Sequence, residues 1–403
     1  MNNRVNQWNK IANRSSKMLS NLTSTIRNQK EEIDALGFYQ TYSKAALHKL
    51  PKLSKAIVDK NVAEMEANGY VFTKKKAGIS EKYAMSIEQI IDIYEFRKEP
   101  KYRDRYKGVP AWVVMIGNLK GGVSKTVSTV TLAHSLRTHP ALLKEDLRIL
   151  VIDLDPQSSA TMFLNNEKSI GDVENTAAQA MLQNVSAQDL KEDFILESNV
   201  PGVDIIPSSI EDAFIAAQWN DLTAEYLPGQ NVNSILKQNI IDKIALDYDF
   251  IFVDSGPHLD ALLQNSIAAA DILMTPIPPA QVDFHSTLKY LTRLPELIGL
   301  VQKSGSQINI KANIGFMSKL ANKADHKICH SFAKEIFGGD MLDVSLPRLD
   351  AFERCGESFD TVISANPANY VGSIEALKSA KSAADNFGKS VFDRIEFIKN
   401  DKV

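Results

Sequence analysis

The stretch GNLKGGVSKT, residues 117–126, decides the fold. It follows the apolar run AWVVMIGN (111–118) and overlaps the start of TVSTVTLAHSLRTH (126–139), whose apolar residues recur with helical spacing. The stretch is therefore predicted to join a buried strand to the N-terminus of a helix. At such a position, backbone N–H groups and the helix dipole can bind a phosphate.

The spacing of this stretch departs from the usual phosphate-loop pattern, G-x-x-x-x-G-K-[ST]. Aligning its Lys-Thr pair with K-[ST] leaves Leu119 and Ser124 where the pattern requires glycines. The adjacent glycines at 121 and 122 nevertheless let the backbone wrap closely round a ligand. We therefore interpret the stretch as a phosphate loop, in which Lys125 binds the outer phosphates and the Thr126 hydroxyl is offered to Mg²⁺.

Carboxylates end two further apolar runs. RILVIDLDPQSSAT (148–161) contains Asp153 and Asp155, and YDFIFVDSGPH (248–258) places Asp254 after four apolar residues. A buried carboxylate is costly without a cation or a polar task, and open α/β sheets bind ligands at the carboxyl ends of their strands. The three motifs in this order predict a nucleotide site with Mg²⁺.

The chain after Ala111 alternates short β-rich runs with helical patterns. Runs buried on both faces predict an α/β fold, a P-loop domain with a mostly parallel sheet and helices on both faces. A last helix, about 373–400, is expected to dock on this domain because its polar face is not strongly basic. The predicted strands are AWVVMIG (111–117), RILVID (148–153), VDIIPS (203–208), DFIFVD (249–254), DILMTPIP (271–278), INIKANIGFM (308–317) and DVSLP (343–347).

The charge of the chain is unevenly distributed. The 403 residues carry a net charge of −3, but residues 1–107 contain 21 Lys and Arg against 12 Asp and Glu, whereas the remainder contains 25 against 37. A chain of this length predicts two or more domains. A basic first quarter indicates contact with a polyanion, with a merely solvated basic surface as the alternative.

The N-terminal segment has one narrow apolar stripe at helical spacing. It predicts a helix of roughly 30 residues that ends at Gly37. Such a stripe packs either on another chain or on the body of its own chain, and the sequence does not distinguish the two. The stripe consists of Val5, Trp8, Ile11, Met18, Leu19, Leu22, Ile26, Ile33 and Leu36.

Residues 38–107 have the element order of a winged helix-turn-helix. Ser43 and Ser54 are predicted to cap two short helices, Asn68 and Gly69 end the second, and two short strands follow. In that fold the second helix enters the DNA major groove and the wing contacts the backbone. The polar segment 97–110 is predicted to be a linker. The candidate DNA-binding residues here are Lys52, Ser54, Lys55 and Lys60 on or beside the second helix, and Lys74, Lys75 and Lys76 on the wing.

The motifs together resemble the ParA/MinD family of P-loop ATPases. KGGVSKT (120–126) is similar to its deviant Walker A box, with a lysine ahead of the glycines, and VIDLDPQ (151–157) and FIFVDSGP (250–257) resemble its other two boxes. LPRLDAFERCGESFDTVIS (346–364) resembles the ParA region before the closing helices. The resemblance covers Ala111 to the C-terminus, and the N-terminal elements are similar to those of the long ParA type encoded by low-copy plasmids.

The resemblance implies a role for each matching residue. Lys120 would cross a dimer interface to the partner's ATP, Asp155 would orient the attacking water, and Asp153 and Asp254 would support the Mg²⁺ shell with Thr126. Arg348 and Arg354 lie where such proteins hold non-specific DNA. Nucleotide contacts are expected from Lys120, Gly121, Gly122, Val123, Ser124, Lys125, Thr126 and Val127.

Ser124 departs from the family pattern, which has glycine at this position. If the position requires a positive φ, serine is strained there by ~1–2 kcal/mol. A slightly different loop path is the alternative.

The resemblance also implies domains and a function. Residues 1–37 would be a dimerisation helix, 38–107 the DNA-binding domain and linker, and 108–403 the ATPase domain. We expect a partition ATPase with weak intrinsic activity that uses ATP/ADP and Mg²⁺. It would dimerise on ATP, with higher-order assembly left open, bind non-specific DNA, respond to a ParB-like centromere-binding protein, and repress its own operon through operator DNA. The alternative is a nucleotide-regulated repressor with incidental turnover.

Other relatives with these boxes fit less well. Cys329 and Cys355 do not provide the paired cluster cysteines of a nitrogenase-type iron protein. A MinD-like membrane ATPase would need a basic terminal helix, and small-molecule kinases or carboxylases would not need the basic leader. The sequence has no apolar run near 18 residues, so we expect a cytoplasmic, nucleoid-associated protein with no membrane contact.

Overall fold

Strands form where the apolar runs predict them. The structure is a computed structural model that describes residues 2–34, 38–77, 80–166 and 173–400. Within those residues, the chain after Ala111 forms an eight-stranded sheet, and a two-stranded ribbon lies in the N-terminal quarter. In chain order the strands are β1 (Lys74–Ala77), β2 (Ser80–Tyr83), β3 (Trp112–Ile116), β4 (Ile149–Leu154), β5 (Leu196–Glu197), β6 (Val203–Ile206), β7 (Phe250–Ser255), β8 (Ile272–Ile277), β9 (Ala312–Leu320) and β10 (Leu346–Pro347).

Helices connect most of these strands, and short 3-10 and π-helical turns complete the connections. The helices are α1 (Asn2–Asp34), α2 (Lys44–Leu47), α3 (Lys55–Ala67), α4 (Ile87–Phe96), α5 (Tyr102–Arg105), α6 (Lys125–Thr138), α7 (Ser159–Leu164), α8 (Ala177–Gln183), α9 (Ala187–Asp189), α10 (Glu211–Ala217), α11 (Trp219–Tyr226), α12 (Asp242–Ile244), α13 (Ala261–Ala269), α14 (Gln281–Lys303), α15 (Ala324–Phe337), α16 (Asp350–Glu357) and α17 (Ile374–Asn400).

The large sheet has the order β10-β9-β8-β3-β7-β4-β6-β5. Neighbouring strands are parallel except at the β5–β6 edge. The predicted α/β fold with a mostly parallel sheet is therefore confirmed. Strand β5 was not predicted, because two residues are too short to show a periodic pattern. The order places the ends of β3, β7 and β4 side by side, so that their loops form one site.

Each face of the sheet carries its own hydrophobic core. Alternate residues of the buried strands point to opposite faces. Along β3, Val113 and Met115 pack in one cluster with α13 and α14. Val114 and Ile116 pack in the other cluster, with α6 and α17. Helices therefore cover both faces, as the unbroken apolar runs predict.

Helix α6 is almost completely enclosed, and this fixes the loop that precedes it. On its outer side the Ser135 hydroxyl donates to the Ala384 carbonyl of α17 at 3.0 Å. A Cβ added at Gly388 would lie 2.2 Å from Oγ of Ser135, so only glycine permits this close approach of two helices. The start of α6 is thus held between the sheet and α17.

Helix α17 docks on the domain that contains the large sheet, as expected. Val391, Ile395 and Ile398 are all buried in the cluster that contains α6. Among the residues that the structure describes, none of the helices combines the length and apolar character that crossing a bilayer requires.

Helix α1 extends from the body with its apolar stripe uncovered. Trp8, Leu19 and Leu22 are 65%, 62% and 54% exposed, so these side chains do not pack on their own chain. The stop at Gly37 and the stripe residue Leu36 lie outside the described residues, as do the side chains of Ile26 and Ile33. The dimerisation role of this helix stays a prediction.

The N-terminal quarter has the predicted element order, with α2, α3 and the β1–β2 ribbon. Ser43 accepts a hydrogen bond from the Ala46 N–H as a helix cap. Ser54 lies at the N-cap of α3, but its side chain forms no capping hydrogen bond. Gly69, with a φ of +88°, ends α3. Helix α4 follows the ribbon, was not predicted, and packs in one core with α2 and α3.

The segment 97–110, predicted to be a linker, is a packed connector. It contains α5, and Tyr102 is buried, with its hydroxyl donating to Glu396 at 2.9 Å. Two ion pairs join the connector to the turn before β4, Lys101 with Asp146 at 3.0 Å and Arg105 with Glu145 at 2.7 Å. These contacts hold the connector against the domain that contains the large sheet.

Candidate active site

The predicted phosphate loop lies between the end of β3 and the first turn of α6. Its entry is fixed by Asn118, whose buried amide donates to the Pro276 carbonyl at 3.1 Å and to the Thr287 hydroxyl at 3.0 Å. The carbonyl oxygen of the same side chain accepts the Lys120 N–H at 3.0 Å. Asn118 therefore ties the loop to β8 and α14, a role that the sequence did not indicate.

Two residues of the loop adopt left-handed backbone geometry. Gly122 has a φ of 75°, and Ser124, the N-cap of α6, has a φ of 74° and a ψ of 27°. Position 124 therefore has the positive φ at which a serine is strained. An isolated left-handed serine costs ~1–2 kcal/mol, and its side chain makes no capping bond that would offset the cost.

Lys125, at the first turn of α6, points into the protein. Its side chain is buried, and its ammonium group donates to the Lys120 carbonyl at 3.2 Å. Burial lowers the pKa of Lys125, and the charges of Asp254 and Asp155 act in the opposite direction. Bound phosphate oxygens would supply the anionic partner that a buried ammonium requires.

Asp153 and Asp254 lie side by side on β4 and β7, where their Cα atoms are register partners. Both are completely buried. Burial raises the pKa of each carboxyl above the usual range, and the proximity of Asp254 adds to the shift at Asp153. Two adjacent buried carboxyls cannot both ionise without a nearby cation.

The two carboxyl groups differ in their hydrogen bonds, and the difference fits a cation near Asp254. Asp153 accepts from the Thr161 N–H at 2.9 Å and the Thr161 hydroxyl at 2.7 Å. Asp254 accepts from the Thr129 hydroxyl through Oδ1, whereas its Oδ2 has no hydrogen-bond partner among the described residues. The Thr126 hydroxyl is close enough to lower the pKa of Asp254.

Mg²⁺ suits this donor set. Among the described residues, no group of three or more His, Cys, Asp or Glu side chains is placed to hold a metal ion. Mg²⁺ typically binds one or two protein oxygens, water and substrate phosphates rather than a complete protein cage. A hydroxyl at Thr126 and an unpaired carboxylate oxygen at Asp254 fit that pattern.

Asp155 lies just beyond the end of β4, two residues after Asp153. Its Oδ1 accepts the Gln157 N–H at 3.0 Å. A Cβ added at Gly256 would lie 3.5 Å from the same oxygen. The carboxylate is therefore fixed at the edge of the site beside the loop that follows β7.

A cleft of about 610 Å³ opens over the loop, within the size range of small-molecule sites. Its lining brings together most of the predicted nucleotide contacts. Lys120 and Val123 are outside that lining, and Asp153 and Asp254 lie beneath it. The predicted residues that line the cleft are Gly121, Gly122, Ser124, Lys125, Thr126, Val127 and Asp155.

The opposite wall of the cleft comes from parts of the chain that sequence reasoning did not connect to it. Lys319, at the end of β9, donates to the Gly122 carbonyl at 2.7 Å. Phe163 and Phe352 contribute aromatic surface, and His258 follows β7. Spacing alone gives no signal for Lys319, Phe163 and Phe352, because they approach the loop only through the fold, whereas His258 ends the third motif.

Lys120 lies outside the cleft. Its side chain is 39% exposed, and its ammonium group is 3.7 Å from Asp283 at the start of α14. It therefore contacts its own chain away from its own nucleotide cleft. A role at a partner's site stays a prediction.

The predicted DNA-binding residues occupy separate places. Lys55 and Lys60 are exposed on α3, and Lys75 and Lys76 are exposed on β1. Lys52 and Lys74 form ion pairs with Glu99 and Glu66 inside the N-terminal domain.

Arg348 and Arg354, predicted together, are not brought together by the structure. Arg348 lines the nucleotide cleft. Arg354 is exposed on α16, where its guanidinium approaches the Val371 carbonyl at 3.4 Å. Their DNA roles stay predictions.

Comparisons with known proteins agree with this architecture. Residues 15–106 match the family model described as the ParA helix turn helix domain, and residues 111–314 match that of an AAA domain. The chain is 66% identical to Plasmid partition protein A of Escherichia coli over 98% of each chain. It is 27% identical to the Chromosome partitioning protein ParA of Myxococcus xanthus over 60% of this chain and 77% of that one.

A solved structure described as a partition protein shares the whole architecture. It is 48% identical, has a TM-score of 0.77, and covers 94% of this chain and 98% of its own. The resemblance inferred from the three motifs is confirmed. The chain therefore belongs to the ParA family of plasmid partition ATPases, with a ParA helix-turn-helix domain preceding its P-loop domain.

Proposed function

We propose that the protein binds ATP with Mg²⁺ in the cleft, dimerises in that state and hydrolyses ATP slowly. The observation that carries the proposal is the meeting of Lys125, Thr126 and Asp155 around one cleft, above a carboxylate oxygen of Asp254 that has no hydrogen bond among the described residues. Bound Mg²⁺ supplies charge neutralisation for the phosphates. Lys125 binds the outer phosphates, and Asp155 orients the attacking water.

Each region would contribute a separate contact. Residues 1–37 form a dimerisation helix, 38–107 bind operator DNA and repress the protein's own operon, and 108–403 bind nucleotide and non-specific DNA. The exposed lysines of α3 and β1 support the operator role, because phosphate contacts need accessible cations. Arg354 supports the non-specific role by its exposure on α16.

Coupling to a partner protein would link ATP hydrolysis to movement of the DNA cargo. A ParB-like centromere-binding protein stimulates ATP turnover on nucleoid DNA in the cytoplasm, and the ADP form then releases the non-specific DNA. Low intrinsic activity is expected because the boxes KGGVSKT, VIDLDPQ and FIFVDSGP contain no arginine that could neutralise charge in the transition state.

Lys125→Ala tests the nucleotide site directly. We expect loss of measurable Mg-ATP binding in calorimetry, because the variant removes the buried ammonium group that faces the phosphates. Lys303→Ala, an exposed lysine at the end of α14, is the matched control and should bind as the wild type does. Normal affinity in the Lys125 variant would contradict the assignment.

ATP turnover separates this proposal from the alternative of a nucleotide-regulated repressor. The rate is measured alone, with non-specific DNA, and with DNA plus the centromere-binding partner. We expect the last mixture to be fastest. A rate unchanged by both additions would favour the repressor with incidental turnover.

A further inference from the structure

The end of β9 contains an irregularity beside the phosphate loop. Leu346 pairs with Ser318 and Pro347 pairs with Leu320, so that Lys319 is an extra residue between two pairs, a bulge. Lys319 also has a φ of 53°, a left-handed conformation that a residue with a side chain rarely adopts. Bulges and backbone outliers of this kind are found next to functional sites, where they redirect a side chain.

The bulge lets two consecutive side chains reach the same loop. In a regular strand, neighbours point to opposite faces. Here the buried Ser318 hydroxyl donates to the Val123 carbonyl at 3.0 Å, and the Lys319 ammonium group donates to the Gly122 carbonyl at 2.7 Å. The end of β9 therefore binds two successive carbonyls of the phosphate loop.

These two bonds fix the direction of the loop's donors. In a planar trans peptide, the carbonyl and the following N–H point in opposite directions. Holding the Gly122 carbonyl fixes the N–H of Val123, and holding the Val123 carbonyl fixes the N–H of Ser124. Backbone N–H groups of a phosphate loop bind the α- and β-phosphates.

We propose that Lys319 is a positioning residue for nucleotide binding, which acts by holding the Gly122 carbonyl so that the loop's N–H groups are preset for phosphate. The inference deepens, and rests on, the proposed nucleotide site. Preset donors need no reorganisation when the ligand arrives. The Lys319 side chain donates the hydrogen bond, and the bulge directs this side chain towards the phosphate loop.

Lys319→Met tests the proposal by removing the donor while keeping a long side chain. We expect Mg-ATP and Mg-ADP affinities, measured by calorimetry, to fall by a similar factor of roughly ten, the worth of one charged hydrogen bond. The binding of both nucleotides should weaken, because both carry the α- and β-phosphates. Lys319→Arg keeps a donor and should restore most of the affinity, and Lys323→Met, at an exposed lysine before α15, should not alter it.

Lys319→Gly separates positioning from a merely structural role. Glycine adopts a positive φ without strain, so the variant should unfold at the same or a higher urea concentration while it binds both nucleotides more weakly. If nucleotide affinity falls in the Met and Gly variants only when their stability to urea also falls, the proposal is wrong. A loss confined to ATP would also overturn it, because it would indicate direct contact with the γ-phosphate.

The wild type and Lys125→Ala separate failure of this inference from failure of the proposed function. If the wild type binds nucleotide and Lys125→Ala does not, but Lys319→Met binds normally, only the role of Lys319 is wrong. If the wild type does not bind Mg-ATP, the nucleotide site itself is wrong.

Discussion

Ser124 holds a conformation that favours glycine, at the first turn of the helix that follows the phosphate loop. Its φ is 74°, and its side chain forms no capping bond. Ser124→Gly should therefore raise the free energy of unfolding by about 1 kcal/mol, since the relief of left-handed strain exceeds the added flexibility of the unfolded chain. Urea denaturation of the nucleotide-free protein measures this change.

Ser331, exposed inside the regular part of α15, provides a control of opposite sign. Glycine costs roughly 0.5 kcal/mol more than serine in a helix interior. Ser331→Gly should lower the free energy of unfolding. Destabilisation by both glycine variants would show that Ser124 is not strained.

Asp153 and Asp254 predict a pH dependence of stability without nucleotide. Burial raises the pKa of both carboxyls, so the native state keeps protons that the unfolded chain has released. The free energy of unfolding should therefore fall as the pH rises from the ordinary aspartate range towards the raised pKa of the pair. Asp254→Asn removes one charge and should flatten this slope, changing stability by roughly 1–3 kcal/mol across the window.

Urea midpoints between about pH 5 and pH 8 test this expectation, since unperturbed aspartates are already ionised there. Asp325→Asn, an exposed aspartate at the start of α15, should leave the slope unchanged. Mg-ATP should stabilise the wild type more than Asp254→Asn at the upper end of the range. An equal slope in both proteins would contradict the role of the buried pair.

At the residue scale, the sequence predicted the wall of the cleft that the phosphate loop and Asp155 form, and not the opposite wall. Lys125, Thr126 and Asp155 belong to short motifs whose spacing is local. Lys319 and Arg348 reach the same cleft from strands about 200 residues away, and only the strand order brings them there. Arg348 was consequently assigned to DNA alone.

The helix-turn-helix is the element whose surface can be tested most directly. Lys55 and Lys60 are exposed on α3, and the Lys60 side chain is 72% exposed. Lys55→Ala with Lys60→Ala should weaken operator binding and lower the salt slope by about one unit per lysine, since each phosphate contact releases counterions. Fluorescence anisotropy with DNA from upstream of the gene, at several salt concentrations, measures both.

ATP-dependent binding to unrelated DNA is the comparison for that variant. It should stay near the wild-type value, because the ATPase domain provides the non-specific contacts. Lys237→Ala, in the ATPase domain, should change neither mode. Equal losses in both modes would rule out two separate DNA surfaces.

Element prediction succeeded where periodicity was long and failed where it was short. Six of the seven apolar runs became β3, β4 and β6 to β9, because strands buried on both faces leave an unbroken apolar signal. The seventh, DVSLP, became only the two-residue strand β10. Strand β5 is too short to have a period. The polar segment 97–110 contains a helix because Tyr102 packs on the core, and its neighbours gave no sign of that contact.

At the scale of the whole molecule, α1 and the surface around Lys120 are two candidate surfaces for association, and we expect them to differ in their dependence on nucleotide. Helix α1 exposes Trp8, Leu19 and Leu22, and the described residues that line the cleft include none from this helix. Lys120 belongs to the phosphate loop but lies outside its own cleft. Association through α1 should therefore be independent of ATP, whereas association that uses Lys120 should require it.

A mixing experiment tests whether Lys120 acts on a partner's ATP. Lys120→Ala keeps Lys125 and should retain ATP binding but lose turnover. Lys125→Ala keeps Lys120 and should not bind ATP. In a mixed dimer, the ATP held by the first variant would meet Lys120 from the second, so a mixture should recover part of the turnover that each variant lacks alone.

The required control is a mixture in which no complete site can form. Lys120→Ala mixed with the double variant, Lys120→Ala with Lys125→Ala, provides no Lys120 from either chain and should stay inactive. Recovery only in the first mixture requires that the lysine and the ATP belong to different chains. Full turnover by Lys120→Ala alone would show that turnover does not need Lys120, and no recovery while both variants still associate would show that Lys120 does not act on the partner's ATP.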